Sequence, residues 1–302
     1  MGKINVIGKW NLEKYQWQLN PNEKEVRMDN VIKHYQSKNG NYDIRLFLMD
    51  ADAPIIEDAR LLAKYIDSLA EEESTNSINI IGLSKCSAMN IYIPRFYKSS
   101  KSYIKTNMYN IAAPYNGTKL ASPLIFYPEV KKLIISKIGE GYLADKIYNS
   151  LIKFYESISS NSHMGYDIAI PGGIEESRRD VYDESFIKNI FCNDNVEAIK
   201  QIASFKNILT GIDNKTLKEA IKTMNFTGIG LCILDDLFFD NKSDGMVYIE
   251  DQRKVEDILD IKSYKLISAH HDVNSNIRVF NDVLHIVDDT IEATNEKRLI
   301  LK

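Results

Sequence analysis

The chain has 302 residues, of which 44% are hydrophobic and 26% charged, and it contains only 14 glycines and 7 prolines. This composition is typical of a soluble globular protein and excludes a collagen-like or largely disordered chain. The formal net charge of -4 and the pI near 5.8 provide no basic field for neutralising phosphates, so we expect no nucleic-acid partner.

The cysteines and the first apolar run indicate the compartment. Cys86, Cys192 and Cys232 are far apart and match neither a disulfide framework nor a zinc-binding spacing. The apolar run at residues 4–7 is too short for the core of a signal peptide or for a membrane span. We therefore expect a cytoplasmic protein without a transmembrane segment, secreted only if a signal peptide has been removed.

Short apolar runs alternate with helical patterns up to residue 113, which is typical of βαβ units and a mostly parallel sheet. The runs predict strands, and segments with apolar residues at helical spacing predict helices. In chain order we predict a strand at 4–7, a helix at about 23–34, a strand at 44–48, a helix at 55–69, a strand at 78–81, a helix at 87–97 and a strand at 108–113.

The alternation stops after Pro114, and the segment up to about Met224 has a largely helical pattern. Strand-like runs resume at 229–234 and 264–268, and a last helix is predicted at about 279–293. We therefore interpret residues 118–224 as a helical insertion within a single α/β domain that spans residues 1–302.

The segment Gly82-Leu-Ser84-Lys-Cys86 lies between a predicted buried strand and a predicted helix. It matches most of the Gly-x-Ser-x-Gly nucleophile elbow, in which a strained strand-to-helix turn exposes a serine hydroxyl above the sheet. Small flanking residues are needed because bulky ones would clash with the adjoining strands. Cys86 replaces the second glycine and is small. The ordinary alternative is that Ser84 only caps the following helix.

Two later segments offer an acid and a base, and each follows a strand-like run. They are Lys242-Ser-Asp244-Gly-Met-Val247 and Ser268-Ala-His270-His271-Asp272-Val273. A serine nucleophile needs an imidazole to accept its proton, and the imidazole needs a carboxylate to fix its tautomer and stabilise its charge. Alternative acids in the same stretch are Asp235, Asp236 and Asp240.

In combination these motifs resemble a bacterial lipase or esterase of the α/β-hydrolase superfamily. Asp244-Gly-Met-Val247 is similar to the Asp-Gly-x-Val stretch that carries the triad acid of such lipases, and His270-His-Asp272 is similar to their His-x-Asp stretch. Ala113-Pro-Tyr-Asn-Gly117-Thr118 resembles the Thr-Pro-x-x-Gly-Ser segment after the strand that follows the elbow. The resemblance extends in layout over residues 4–293. It implies an α/β-hydrolase fold, with a mostly parallel sheet flanked by helices.

The resemblance also implies a Ser-His-Asp catalytic triad. Ser84 would be the nucleophile and Asp244 the acid. The aspartate at position 272 favours His270 as the base, and His271 is the alternative.

An oxyanion hole in this fold uses the backbone N–H after the nucleophile, which belongs here to Lys85. A second N–H comes from the loop after the first strand, at Lys9 or Trp10. The His-Gly pair that many relatives carry in that loop is missing here. We predict neither a cofactor nor a metal.

The function implied is hydrolysis of a carboxylic ester, with a lipid or another acyl compound as substrate, through an acyl-enzyme intermediate. The alternatives are a thioesterase, an amidase or a phospholipid deacylase with the same site, and a catalytically silent hydrolase fold that serves as a binding module. The insertion at 118–224 lies where this superfamily places its lid or cap. Contact with a lipid surface is therefore expected only transiently and through this lid.

Overall fold

The structure is a computed structural model of the chain. It describes residues 2–8, 43–48, 55–71, 77–96, 105–115, 123–159, 203–238, 240–259, 261, 263–270, 273 and 277–300. The helix predicted at 23–34 lies outside these ranges.

Six strands form one parallel sheet. They are β1 (Gly2–Gly8), β2 (Asp43–Leu48), β3 (Ser77–Leu83), β4 (Lys105–Ile111), β5 (Ala203–Gly211) and β6 (Ser263–Ile267). The strand order is β2-β1-β3-β4-β5-β6, and every neighbouring pair is parallel. The carboxyl ends of all six strands therefore lie at the same edge of the sheet.

The helices of the described residues are numbered in chain order. They are α1 (Ile55–Glu71), α2 (Lys85–Asn90), α3 (Ile93–Phe96), α4 (Pro123–Ile138), α5 (Tyr142–Ser159), α6 (Asn214–Lys222), α7 (Phe226–Phe238), α8 (Ile249–Arg253), α9 (Glu256–Leu259) and α10 (Ile277–Ile300). No helix among them has the length and apolar character needed to cross a membrane.

Both faces of the central strands are covered, and buried apolar residues lie on each face. In β3, Ile80 packs into a cluster with buried residues of α1 and α2, whereas Ile81 packs into a cluster with α10. Met108 and Tyr109 of β4 lie in register with these two residues and divide between the same two clusters. This is the alternation of side chains expected along a strand.

A third apolar cluster, called here the helical cluster, joins helices α4, α5, α6 and α7. In α7, Gly230 lies against Leu151 of α5, and a Cβ at this glycine would be 2.5 Å from the Leu151 Cγ. The helical cluster also includes Met246, Val247 and Ala269, which lie in the turns that follow α7 and β6. The apolar cluster shared by these four helices therefore continues into the turns that carry two of the predicted site residues.

The structure confirms the strands predicted at 4–7, 44–48, 78–81, 108–113 and 264–268 and the helix at 55–69, with small shifts of their ends. The last predicted helix is also confirmed, as α10. The helix predicted at 87–97 is divided into α2 and α3 by a turn at 91–92, and Pro94 lies in the first turn of α3.

Two predictions near the end of the insertion are corrected. The strand predicted at 229–234 is wrong, because these residues belong to α7. All of them are buried, so no polar face reveals the helical period. Conversely, β5 lies inside the predicted insertion at 118–224, so the sheet resumes before residue 224. Its polar residues Asn207 and Thr210 interrupt the apolar pattern although both are fully buried.

Candidate active site

Ser84 lies in the turn between β3 and α2, in a backbone conformation that L-residues rarely adopt. Its φ is 56° and its ψ is -123°, a conformation that costs about 1–3 kcal/mol for a residue other than glycine. Its N–H donates to the Ile111 carbonyl at the end of β4, at 2.9 Å. The Ser84 side chain makes no capping hydrogen bond to α2. A capping role therefore does not explain a serine at this position.

Ser87 fixes this turn to the two strands beside it. Its buried hydroxyl lies 2.6 Å from the Gly82 carbonyl oxygen and 2.9 Å from the Ile111 carbonyl oxygen, and it accepts a hydrogen bond from the Ile111 N–H at 2.8 Å. The Ser84 carbonyl in turn accepts hydrogen bonds from the N–H groups of Ser87 and Ala88. The strained residue is thus held by hydrogen bonds on both sides.

The two small positions of the elbow differ in the space they offer. A Cβ at Gly82 would lie 2.8 Å from the Asn90 Nδ2 and 3.0 Å from backbone atoms of Cys86 and Ser87. A side chain at position 82 would therefore push β3 away from α2. Cys86 instead packs in the buried cluster formed with α1. This explains why the second position of the elbow accommodates a cysteine.

Lys85 follows the serine and is the first residue of α2. Its side chain is 1% exposed, and its ammonium lies 3.3 Å from the Asp58 carboxylate of α1, which is fully buried. This buried ion pair connects Lys85, the residue after the nucleophile position, to α1. Sequence reasoning missed Asp58, because one acidic residue in the first turn of a helix carries no specific signal.

A buried polar chain lies behind the elbow. The Asn90 amide of α2 donates to the Asn110 side chain of β4 at 2.8 Å, and the Asn110 amide donates to the Tyr115 hydroxyl at 3.0 Å. Burial raises the pKa of Tyr115 well above its usual range, so its hydroxyl stays protonated. Tyr115 belongs to the Ala113–Thr118 segment that carried part of the resemblance. The chain of contacts attaches this segment to the helix behind Ser84.

Asp244 lies in the turn between α7 and α8 and is fully buried. Its Oδ1 accepts hydrogen bonds from the N–H groups of Met246 and Val247, at 3.0 and 2.8 Å. Its Oδ2 accepts a hydrogen bond from the Thr210 hydroxyl of β5 at 2.6 Å. Both carboxylate oxygens are therefore oriented by donors.

His270 follows β6 and is bound to this aspartate twice. Its Nδ1 lies 2.8 Å from the Asp244 Oδ2, and its backbone N–H donates to the Asp244 carbonyl at 2.8 Å. The His270 side chain is 6% exposed and the Asp244 side chain is fully buried. The structure thus brings together the acid and one of the two histidines that the sequence singled out. Ser84 lies at the same edge of the sheet, where β3 ends.

The three alternative candidates for the triad acid lie in other environments. Asp235 of α7 is buried, and its Oδ1 accepts hydrogen bonds from the N–H and the hydroxyl of Ser243, at 2.9 and 2.6 Å. Burial is the main cause that raises the pKa of Asp235, and the nearby Asp244 charge adds to it. Asp236 pairs with Lys137 of α4 at the surface, and Asp240 is exposed. Of these four carboxylates, Asp244 is the one bonded to His270.

Several predicted site residues lie outside the described part of the chain. They are His271, Lys9 and Trp10. The alternative base and the second oxyanion donor therefore remain predictions. Within the described ranges, no three His, Cys, Asp or Glu side chains are grouped as metal ligands would be.

Two residues of the site had no signal in the sequence. Thr210 lies on β5, which was not predicted, and Gln252 lies on the short helix α8. The Gln252 side chain bonds both backbone groups of Thr210: Oε1 accepts from its N–H at 2.8 Å and Nε2 donates to its carbonyl at 3.0 Å. These contacts join β5 to the turn that carries the acid.

Comparison with known proteins gives structural likenesses at low sequence identity. No protein-family model and no curated protein matches the chain. The chain is similar to the mature lipase BlEst2 of Bacillus licheniformis, with 11% identity over 94% of this chain and 91% of that chain and a TM-score of 0.48. For the lin2722 gene product of Listeria innocua the identity is 9% over 94% of this chain and 92% of that chain, with a TM-score of 0.49. For a lipase-esterase related protein of Clostridium acetobutylicum the identity is 12%, the coverage 94% and 93%, and the TM-score 0.39.

The fold class follows from the chain's own topology. A parallel sheet covered by helices on both faces carries a strained serine turn where β3 ends and a histidine after β6. The acid bonded to that histidine lies in the turn between α7 and α8, so the chain order is Ser, Asp, His. The chain has an α/β-hydrolase fold. This confirms the fold class predicted from the sequence.

We expect Gly82→Ala to lower the free energy of unfolding by about 1–3 kcal/mol, because the added methyl group meets backbone atoms of α2 that cannot move independently of the elbow. Gly211→Ala is the matched control, since its methyl group would meet only the end of the flexible Ile249 side chain, at 3.1 Å. Urea unfolding of both variants checks this. Equal stability of the two variants would contradict the steric account of the elbow.

We expect the stability advantage of Asp235→Asn over the wild type to increase as the pH rises above 3.8, the ordinary pKa of the carboxyl. A raised pKa in the folded state means that the carboxyl stabilises the fold fully below its unfolded pKa, and that this contribution is lost as the pH rises through the folded pKa. The asparagine stays neutral and keeps an acceptor for Ser243.

The measurement is urea unfolding across this pH range, with Asp240→Asn, in the exposed part of the same turn, as the control. A stability difference between wild type and Asp235→Asn that does not change with pH would show that the buried carboxyl is not the titrating group.

Proposed function

We propose that the protein is a serine hydrolase that cleaves a carboxylic ester through an acyl-enzyme intermediate, with Ser84 as nucleophile, His270 as base and Asp244 as acid. The observation that carries this proposal is the buried Asp244–His270 hydrogen bond at the same sheet edge as the strained Ser84 turn. A buried histidine and aspartate that merely filled the core would not require a strained serine turn at the same sheet edge.

The hydrogen bonds around the acid determine which nitrogen of His270 is available. The Asp244 Oδ2 already accepts the Thr210 hydroxyl, and Oδ1 accepts two backbone N–H groups. Because the Asp244 Oδ2 is a hydrogen-bond acceptor, the His270 Nδ1 facing it carries the proton. The neutral ring then has its lone pair on Nε2. A base with that tautomer accepts a proton from a serine hydroxyl.

The proposed reaction has two steps. The Ser84 Oγ attacks the acyl carbonyl carbon while the His270 Nε2 takes the hydroxyl proton, and the tetrahedral intermediate collapses as that proton passes to the leaving alkoxide. A water molecule then attacks the acyl-enzyme, gives its proton to the same nitrogen and releases the carboxylic acid when the proton returns to the Ser84 Oγ. The Asp244 carboxylate stabilises the imidazolium in both steps.

The charge that develops on the carbonyl oxygen needs backbone donors. We propose the N–H of Lys85 as one of them, since it follows the nucleophile at the start of α2. The buried contact of its side chain with Asp58 supports this role, because it fixes the residue that carries the donor. The second donor is proposed in the loop after β1, at Lys9 or Trp10.

We propose an apolar acyl group as the substrate moiety and helices α4 and α5 as part of a lid. The helical cluster packs its apolar side chains against Met246, Val247 and Ala269, next to the acid and the base. Apolar side chains are exposed where the end of α4 meets the start of α5, among them Tyr142, the first residue of α5, which is 76% exposed. These residues support transient contact of the lid with a lipid surface.

The test is hydrolysis of nitrophenyl esters with short and long acyl chains, together with labelling by a fluorophosphonate read as intact mass. We expect the wild type to gain one label and Ser84→Ala to gain none. Asp244→Asn and His270→Ala should lower kcat by about 10⁴-fold, because the base loses its tautomer or is removed. His271→Ala should keep both labelling and turnover.

Ser68→Ala, an exposed serine of α1, is the matched control for Ser84→Ala and should label like the wild type. Matching thioester and anilide substrates separate esterase from thioesterase and amidase activity. A wild type that neither labels nor hydrolyses any of these substrates would favour the silent binding module over the enzyme.

A further inference from the structure

The carboxylate of Asp244 is held by more donors than the histidine alone. Its Oδ2 is shared by the His270 Nδ1 at 2.8 Å and the Thr210 Oγ1 at 2.6 Å. Its Oδ1 accepts two backbone N–H groups of the same turn. Thr210 is thus the side-chain hydroxyl that bonds the same oxygen as the base.

The single hydroxyl proton of Thr210 has two acceptors within reach. The Asp244 Oδ2 is at 2.6 Å and the Gln252 Oε1 at 3.2 Å. The nearer and charged acceptor takes the proton, because a hydrogen bond to an ionised oxygen is shorter and stronger than one to an amide oxygen. Thr210 therefore donates to the acid.

Gln252 holds Thr210 in the position from which it donates. Its amide bonds both backbone groups of Thr210, and its Nε2 also donates to the Val247 carbonyl at 3.2 Å. All these groups are buried, so water does not replace a lost contact without cost. These hydrogen bonds join β5, α8 and the turn that carries Asp244, and they fix the groups around the Asp244 Oδ2.

We infer that Thr210 is a positioning residue of the site: its hydroxyl, held in place by Gln252, orients the Asp244 oxygen that accepts the hydrogen bond from the His270 Nδ1–H. The expected effect of Thr210 on catalysis rests on the proposed function. Without the hydroxyl, the Asp244 Oδ2 loses its shortest donor and keeps the Gln252 Nε2, at 3.5 Å, and the base itself, which changes between neutral and charged forms during each turnover. The imidazole then spends less time with Nε2 directed at the serine.

A second threonine on the same chain offers a matched comparison. Thr216 of α6 is also buried, and its hydroxyl donates to the Asp213 carboxylate at 3.0 Å. That carboxylate caps α6 and is not part of the proposed catalytic site. Thr216→Val therefore removes the same kind of hydrogen bond away from the site.

The experiment compares Thr210→Val, Thr210→Ser and Thr216→Val with the wild type. The first readout is the downfield proton resonance of the His270 Nδ1–H, assigned by its loss in His270→Gln. The second is kcat and KM for an ester substrate. We expect Thr210→Val to lose the resonance through exchange with water and to lower kcat about tenfold at unchanged KM. Thr210→Ser should restore both, and Thr216→Val should match the wild type.

The two readouts separate failure of this inference from failure of the proposed function. Suppose that the wild type hydrolyses esters, and that Thr210→Val keeps the resonance and has the same kcat as Thr216→Val. Thr210 is then not a positioning residue, and the serine hydrolase proposal stands. If the wild type hydrolyses nothing, the proposed function fails, and the resonance alone decides whether Thr210 positions the pair. A wild type without the resonance overturns the inference.

Discussion

The site depends on one strained residue, Ser84, whose φ of 56° is maintained by its surroundings. Its N–H and the Ser87 hydroxyl both bind the Ile111 backbone at the end of β4, and Gly82 leaves room for α2 to approach β3. A conformation that costs about 1–3 kcal/mol persists only when the neighbouring structure fixes it in this way. This turn places the serine at the carboxyl edge of the sheet, and the close approach of α2 explains why position 82 requires glycine.

Asp244 and His270 reach that edge from different elements, Asp244 from the turn between α7 and α8 and His270 from the end of β6. The carbonyl and the carboxylate of Asp244 both bind His270, and Thr210 of β5 fixes the carboxylate oxygen. Because β5 and β6 are neighbours in a parallel sheet, their ends bring these turns together. The helical cluster then packs on the same turns through Met246 and Ala269. The strand order and the helical cluster thus both fix the positions of Asp244 and His270.

Much of this arrangement was predictable from the sequence, for reasons that differ between residues. The small residues of the elbow and the distant Asp-Gly and His-His segments are local patterns, and they singled out Ser84, Asp244 and His270. The structure joins the last two by a hydrogen bond and places Ser84 in a strained turn. β5 was not predictable, because Asn207 and Thr210 are polar residues that become fully buried only through partners on α8. The strand predicted at 229–234 failed for the opposite reason, since a helix buried on all sides has the same apolar run as a buried strand. Contacts such as Lys85 with Asp58 depend on tertiary packing, which no local pattern contains.

The most direct test of the account is a crystal structure of the protein after reaction with an alkyl phosphonate. We predict a phosphorus atom bonded to the Ser84 Oγ, a phosphonyl oxygen within about 3.1 Å of the Lys85 N–H, and the His270 Nε2 directed at the phosphonate while its Nδ1 keeps Asp244 as partner. A phosphonate bonded to another residue, or a His270 ring whose Nε2 faces away from Ser84, would contradict the assignment of this site.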